Sequence, residues 1–207
     1  WRAIVIGLFR AIVLPMSLLL IFIEACNRIT SGVLISLAPI VTVQDLGWTQ
    51  LAYANWIALT GVTAAVLGVL CSPWIDRIGA LRVLKWIVMF RVVMFALTAA
   101  LEPYWGIHQV FEAFLMINAV ATQLVTVTLI ALFMRLCSQR VAASQFAVYM
   151  ALANMTYSLG SGLMVPLSHW THPAGIMLFC AILIALMWLL IRWVNFERHD
   201  LDLSRLD

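Results

Sequence analysis

Long apolar runs separated by short polar segments fill the chain from residue 12 to residue 195. A helix that crosses a bilayer needs about 20 mostly apolar residues. Six stretches meet that need: 12–41, 52–74, 83–101, 108–134, 144–168 and 174–195. Their apolar positions keep no amphipathic period, as expected of helices that are apolar nearly all round. The connections are short, so successive helices fold back beside one another. The pattern predicts an all-α integral membrane protein with six transmembrane helices over 12–195, a leading segment 1–11 and a tail 196–207.

Composition strengthens this reading. The 207 residues are 65% hydrophobic and 10% charged, with a mean hydropathy of +1.05. A soluble domain is about 45–50% apolar and about 25% charged, so there are too few charges to wet a soluble surface. The charges also segregate. Arg2 and Arg10 lie before the first run, Arg77, Arg82 and Lys85 after the second, Arg135 and Arg140 after the fourth, and Arg192, Arg198 and Arg205 at or after the end of the sixth. The other three connections, "TVQDLGWTQ", "LEPYWGIH" and "SHWTHPAG", have no Lys or Arg. The positive-inside rule then places both termini in the cytoplasm. Trp48, Tyr104, Trp105 and Trp170 on the opposite side fit an interfacial aromatic belt. A net charge of only +3, without a basic face interleaved with aromatics, argues against nucleic acid as a partner. Cys26, Cys71, Cys137 and Cys180 lack metal-ligand spacing and read as reduced packing residues. His169 and His172 are too isolated to argue for a metal. No spacing suggests a nucleophile, so neither catalytic residues nor a cofactor is expected.

Polar residues inside the runs carry the functional interest. "IFIEACNRIT" places Glu24, Asn27 and Arg28 in the first run. A central Arg or Asp costs ~2.5–3.5 kcal/mol even on insertion scales. Glu24 and Arg28 are four residues apart, on one helix face, and can pair. That pair either fixes packing or forms a gate or solute contact, with Asn27 beside it. Glu112 in the fourth run has no basic partner at helical spacing, and His108 is its nearest titratable neighbour in sequence. Apolar surroundings favour the protonated form of a carboxyl group, the property a proton carrier needs. Asn118, Thr122 and Thr126 recur every four residues with Gln123 beside them, and Asn154 and Tyr157 lie in the fifth run. Such a stripe either glues helices or lines an aqueous cavity. Ser158 and Gly162 suggest a small-residue packing face, and Arg91 is expected to snorkel.

Two motifs resemble known transporters. "SPWIDRIGALRVL", 72–84, resembles the major facilitator loop motif G-x-x-x-D-R-x-G-R-R/K through Asp76, Arg77 and Gly79, with Ser72, Ala80 and Leu81 departing from it. The resemblance implies that Asp76 caps or charge-pairs against a neighbouring helix end and holds one conformation. "RVAASQFAVYMALANMTYSLGSGL", 140–163, is similar to the eleventh helix of AmpG-like permeases through Ala143, Ser144, Gln145, Phe146, Ala147, Ala151 and Leu152. "FEAFLMIN", 111–118, resembles the same family's F-E-N segment through Phe111 and Glu112, with Ala113 in place of Asn. The resemblance implies the C-terminal half of a major-facilitator-type transporter in the bacterial inner membrane, with its first, second, fourth and fifth helices facing a central cavity. It implies proton-coupled movement of a small polar, muropeptide-like solute and a second six-helix half as partner. The alternative is a non-transporting scaffold subunit on the same fold.

The orientation has a direct test. In a background without native cysteines, Gly47→Cys and Thr171→Cys should react with an impermeant thiol reagent added from the periplasm, and Ala80→Cys should not. The reverse pattern would overturn the topology.

Overall fold

The structure, a computed structural model, describes residue 9, residues 12–138 and residues 141–196. Arg2, Arg10, Arg140, Arg198 and Arg205 lie outside the described residues, and of the leading and tail segments only Phe9 and Phe196 are described. Six long helices follow the six apolar runs: α1 Pro15–Pro39, α2 Gln50–Ile78, α3 Ala80–Ala100, α4 His108–Leu136, α5 Ala142–Trp170 and α6 Pro173–Ile191. No strand occurs among the described residues.

Local chemistry sets the ends. Proline occupies the first turn of α1 and of α6, where its missing N–H costs nothing. The α1 ladder widens into a π-helical turn, Ile40–Asp45, directly after Pro39. Thr49 caps α2, its hydroxyl accepting from the Ala52 amide at 3.1 Å. The sixth helix ends at Ile191, short of the expected 195.

The expected loop 72–84 is instead helical on both sides of one residue. Gly79 alone joins α2 to α3, at φ +96°, a conformation that a side chain resists. Asp76 and Arg77 therefore fall in the last turn of α2 and are exposed. Asp76 caps no helix: the N-terminus of α3 has no side-chain cap, and no ion pair to Asp76 forms among the described residues.

Among the described residues, five helical spans are long and apolar enough to cross a membrane: Pro15–Asp45, Gln50–Ile78, Ala80–Ala100, His108–Leu136 and Pro173–Ile191. α5 is as long as α2 and α4 but less apolar, because Asn, Ser, Thr, Gln and Gly residues interrupt it.

Packing is symmetric under exchange of α1–α3 with α4–α6. α1 packs most extensively on α5, as α4 does on α2. α3 lies against α4 as α6 lies against α1, and α3 and α6 pack on each other. Two three-helix units interlock in this way, the plan of an inverted repeat. The core along these seams includes Leu20, Ile23, Val88, Phe95, Phe133 and Ile184.

α1 and α5 approach closely. A Cβ on Gly32 would fall on the Tyr157 carbonyl, and one on Gly160 would fall on the Ile29 carbonyl. Ser161 then donates its hydroxyl to the Gly32 carbonyl at 3.2 Å. The packing face of α5 is thus centred on Gly160, not on the expected Ser158 and Gly162. Both of those are exposed, and a Cβ at Gly162 meets open space. The aromatic belt is also only half realised. Tyr104 and Trp170 stand exposed, whereas Trp48 and Trp105 turn inward. Trp48 Nε1 donates to His108 Nδ1 at 2.7 Å, and Trp105 Nε1 donates to the Thr98 carbonyl at 2.9 Å. Satisfying the indole N–H inside the bundle keeps these two rings there.

Gly160→Ala should therefore destabilise the bundle by about 1–3 kcal/mol, the usual cost of overpacking, and lower the melting temperature in detergent by several degrees. Gly162→Ala should leave it unchanged. Equal effects of the two would contradict this seam.

Candidate functional site

The polar residues of the first run meet a partner from another helix at the centre of the bundle. Arg28 Nε donates to Glu24 Oε1 at 2.6 Å, the i,i+4 pair that the spacing predicts. Asn27 sits between charges. Its amide nitrogen donates to Glu24 Oε2 at 3.4 Å, and its carbonyl oxygen accepts from Arg91 Nη1 at 2.7 Å. Arg91 Nη2 reaches Asn118 Oδ1 of α4 at 3.4 Å. One network thus ties α1, α3 and α4.

Arg91 overturns the expectation of snorkelling. It is 0% exposed and lies 5.7 Å from the centre of the Phe95 ring. The signal was present in its position. Eleven residues separate it from Ala80, roughly 16 Å of helix at 1.5 Å per residue, a long reach for an arginine side chain to the end of α3. Its Nε has no hydrogen-bond partner among the described residues. The third helix, not among those expected to face the cavity, therefore contributes a charge to the centre.

The centre is electrically unbalanced. One carboxylate, Glu24, stands against two guanidiniums, Arg28 directly and Arg91 through Asn27, which leaves one positive charge without a second carboxylate bonded to it among the described residues. The pair is also open on one side: the Glu24 side chain is 4% exposed and that of Arg28 is 23% exposed. The two terminal nitrogens of Arg28 have no partner among the described residues. A guanidinium fork so placed can bind a carboxylate or another paired acceptor. Glu24 also lines a cavity of about 10 Å³ between α1, α4 and α5, the size of one water.

A Major Facilitator Superfamily model matches residues 20–204, nearly the whole chain, and the interlocked three-helix units agree with it. The chain belongs to the major facilitator superfamily. No curated protein and no solved structure matches it. Superfamily membership, with the five apolar helices, makes this a multi-pass membrane protein of the transporter type.

The remaining residues singled out in the sequence do not join the central network of this facilitator chain. Glu112 is half-buried on α4, six residues before Asn118, and makes no hydrogen bond or ion pair among the described residues. The Thr122 hydroxyl is buried without a partner among them. Gln123 lies over Gly68 of α2. Thr126 returns its hydroxyl to the Thr122 carbonyl of its own helix at 2.9 Å. Asn154 is exposed on α5, and Tyr157 is half-buried.

A second polar cluster was not expected. Gln145 is buried and accepts from the Ser138 amide at 3.0 Å, so it holds the α4–α5 connection. Its Nε2 donates to Tyr149 Oη at 2.6 Å, and Tyr149 donates to Ser17 Oγ at 3.0 Å. The glutamine that carries the permease resemblance is, in this structure, a clamp between α5, the end of α4 and α1.

Charge counting predicts the ranking of variants. Glu24→Gln leaves two facing cations and should cost about 3–5 kcal/mol, as breaking buried pairs does. Arg91→Gln leaves the neutral Glu24–Arg28 pair and should cost less. Adding Arg91→Gln to Glu24→Gln should recover part of the loss in thermal unfolding in detergent; a further loss would contradict the charge argument.

Proposed function

We propose that the chain is the C-terminal six-helix half of a proton-coupled secondary transporter that moves a small polar solute across the bacterial inner membrane by alternating access. In this reading α5 also crosses the membrane, making six spans, both termini face the cytoplasm, and a second six-helix half, on the same longer chain or on another, completes the cavity. The solute path runs along Glu24, Asn27 and Arg28 of α1, Asn118, Thr122 and Gln123 of α4, and Asn154 and Tyr157 of α5. Asp76, Arg77 and Gly79 act at the turn between α2 and α3 during the rocking of the two halves. The AmpG-like pattern around Gln145 and Phe146 favours a muropeptide-like solute.

The observation that carries this reading is the half-open ion pair. A pair kept only for packing gains most when both partners are enclosed and fully bonded. Here Glu24 is enclosed, while Arg28 keeps two nitrogens unbonded among the described residues and a fifth or so of its side chain uncovered. Glu112 is the proposed proton carrier, since it is a half-buried carboxylate with no cation bonded to it among the described residues. One observation favours the scaffold alternative: Arg91 is hydrogen-bonded to Asn27 and Asn118, which ties three helices.

Transport in vesicles, with a muropeptide as first solute, separates the two. Glu24→Gln/Arg28→Gln should insert normally yet lose both uptake and exchange. Glu112→Gln should lose accumulation driven by a proton gradient and keep exchange at equal concentrations. Full uptake by the double variant would make the pair structural, and uphill uptake by Glu112→Gln would remove Glu112 as the carrier. A scaffold would move no solute in any form.

A further inference from the structure

Two grooves outside the polar centre share one ridge of α3. The first lies at the turn between α2 and α3, has a volume of about 440 Å³, and is lined by Arg82, Lys85 and Arg135 together with backbone around Gly79. Arg135 is engaged separately, stacked on Phe196 with its guanidinium carbon 4.3 Å from the ring centre. The described lining residues include no carboxylate. The second groove, about 490 Å³, lies between α2, α3 and α4, and its walls are almost wholly apolar, among them Leu67, Trp86, Phe90, Ile117 and Leu124.

Helical register connects them. Arg82, Trp86 and Phe90 recur every four residues and so follow one face of α3. Ile117, Ala121, Leu124, Ala131 and Arg135 keep to one stripe of α4 in the same way. The combined surface is cationic at the helix ends and apolar deeper along the helices. Trp86 and Phe90 are both exposed in the isolated bundle.

We propose that this surface is a binding site for an anionic phospholipid, its headgroup phosphate on Arg82 and Lys85 and one acyl chain along Trp86 and Phe90 between α2, α3 and α4. Charge complementarity selects the occupant. A soluble anion would use the cations and leave the apolar groove bare. A zwitterionic lipid would bring its own ammonium group to a wall of cations. An anionic lipid satisfies both parts, and basic residues near the membrane surface attract such headgroups. The site is separate from the polar centre and does not depend on transport.

The test is native mass spectrometry of the purified full chain, titrated with phosphatidylglycerol and with phosphatidylcholine of the same acyl chains. Phosphatidylglycerol should bind about thirtyfold more tightly, roughly 2 kcal/mol for two surface cations. Arg82→Gln/Lys85→Gln should bring it to the level of phosphatidylcholine and leave phosphatidylcholine unchanged. Both substitutions lie at the accessible end of α3, and an unaltered melting temperature checks folding. Excess glycerol phosphate should not displace the lipid. Equal binding of the two lipids, a preference that survives the double substitution, or displacement by glycerol phosphate would each overturn the proposal.

Discussion

The side-chain amide of Asn27 is the joint on which the bundle's centre depends. An arginine with no exposure, deep in an apolar helix, is sustained only if its charge and its donors are met nearby. Asn27 meets one of its donors and links it toward an anion. Its oxygen accepts from Arg91, and its nitrogen donates to the carboxylate of Glu24, so the anion and the buried cation are linked through a neutral group. Asn118 takes a further donor of Arg91 from α4. Three helices are thereby registered against one another by groups that have no equally good partner in lipid.

The rest of the architecture leaves one side of that centre open. α1 is pressed onto α5 at Gly32 and Gly160, where no Cβ could fit, and Gln145, Tyr149 and Ser17 hold the other end of the same pair. α3 and α6 close the back of the bundle. Glu24 is enclosed by this packing, while Arg28 is not. The result is a positive centre with its bonding capacity directed outward, on a facilitator fold whose members are transporters. In the proposed reading, function and stability draw on the same residues.

The fold was largely legible because span length and mean polarity are properties of single segments. The six runs, the Glu24–Arg28 pair at i,i+4 spacing and the free cysteines all follow from local rules. What depended on a second helix was not legible. Arg91 looked able to snorkel because its partners, Asn27 and Asn118, are 64 and 27 residues away. Gly160 and Gly162 are equivalent by composition, and only the helix rotation sends one toward α1 and the other outward. Trp48 was assigned to the membrane surface because its acceptor, His108, lies 60 residues on. The loop motif pointed to the superfamily that matches, while its local geometry was not legible: Gly79 at positive φ makes a one-residue turn and leaves Asp76 in the last turn of α2.

The central claim is that Asn27 couples Arg91 to the anion of α1, and a double-mutant cycle measures it without any knowledge of the solute. Asn27→Leu, Arg91→Met and the double variant are unfolded reversibly in mixed micelles beside the unaltered chain. Neutral hydrogen bonds inside membranes give coupling energies of about 0.6 kcal/mol on average. A bond to a buried guanidinium is stronger, so the account predicts a coupling of at least about 1 kcal/mol, with the double variant less impaired than the sum of the two single ones. Strict additivity would show that Arg91 is held by something other than Asn27 and would contradict the account.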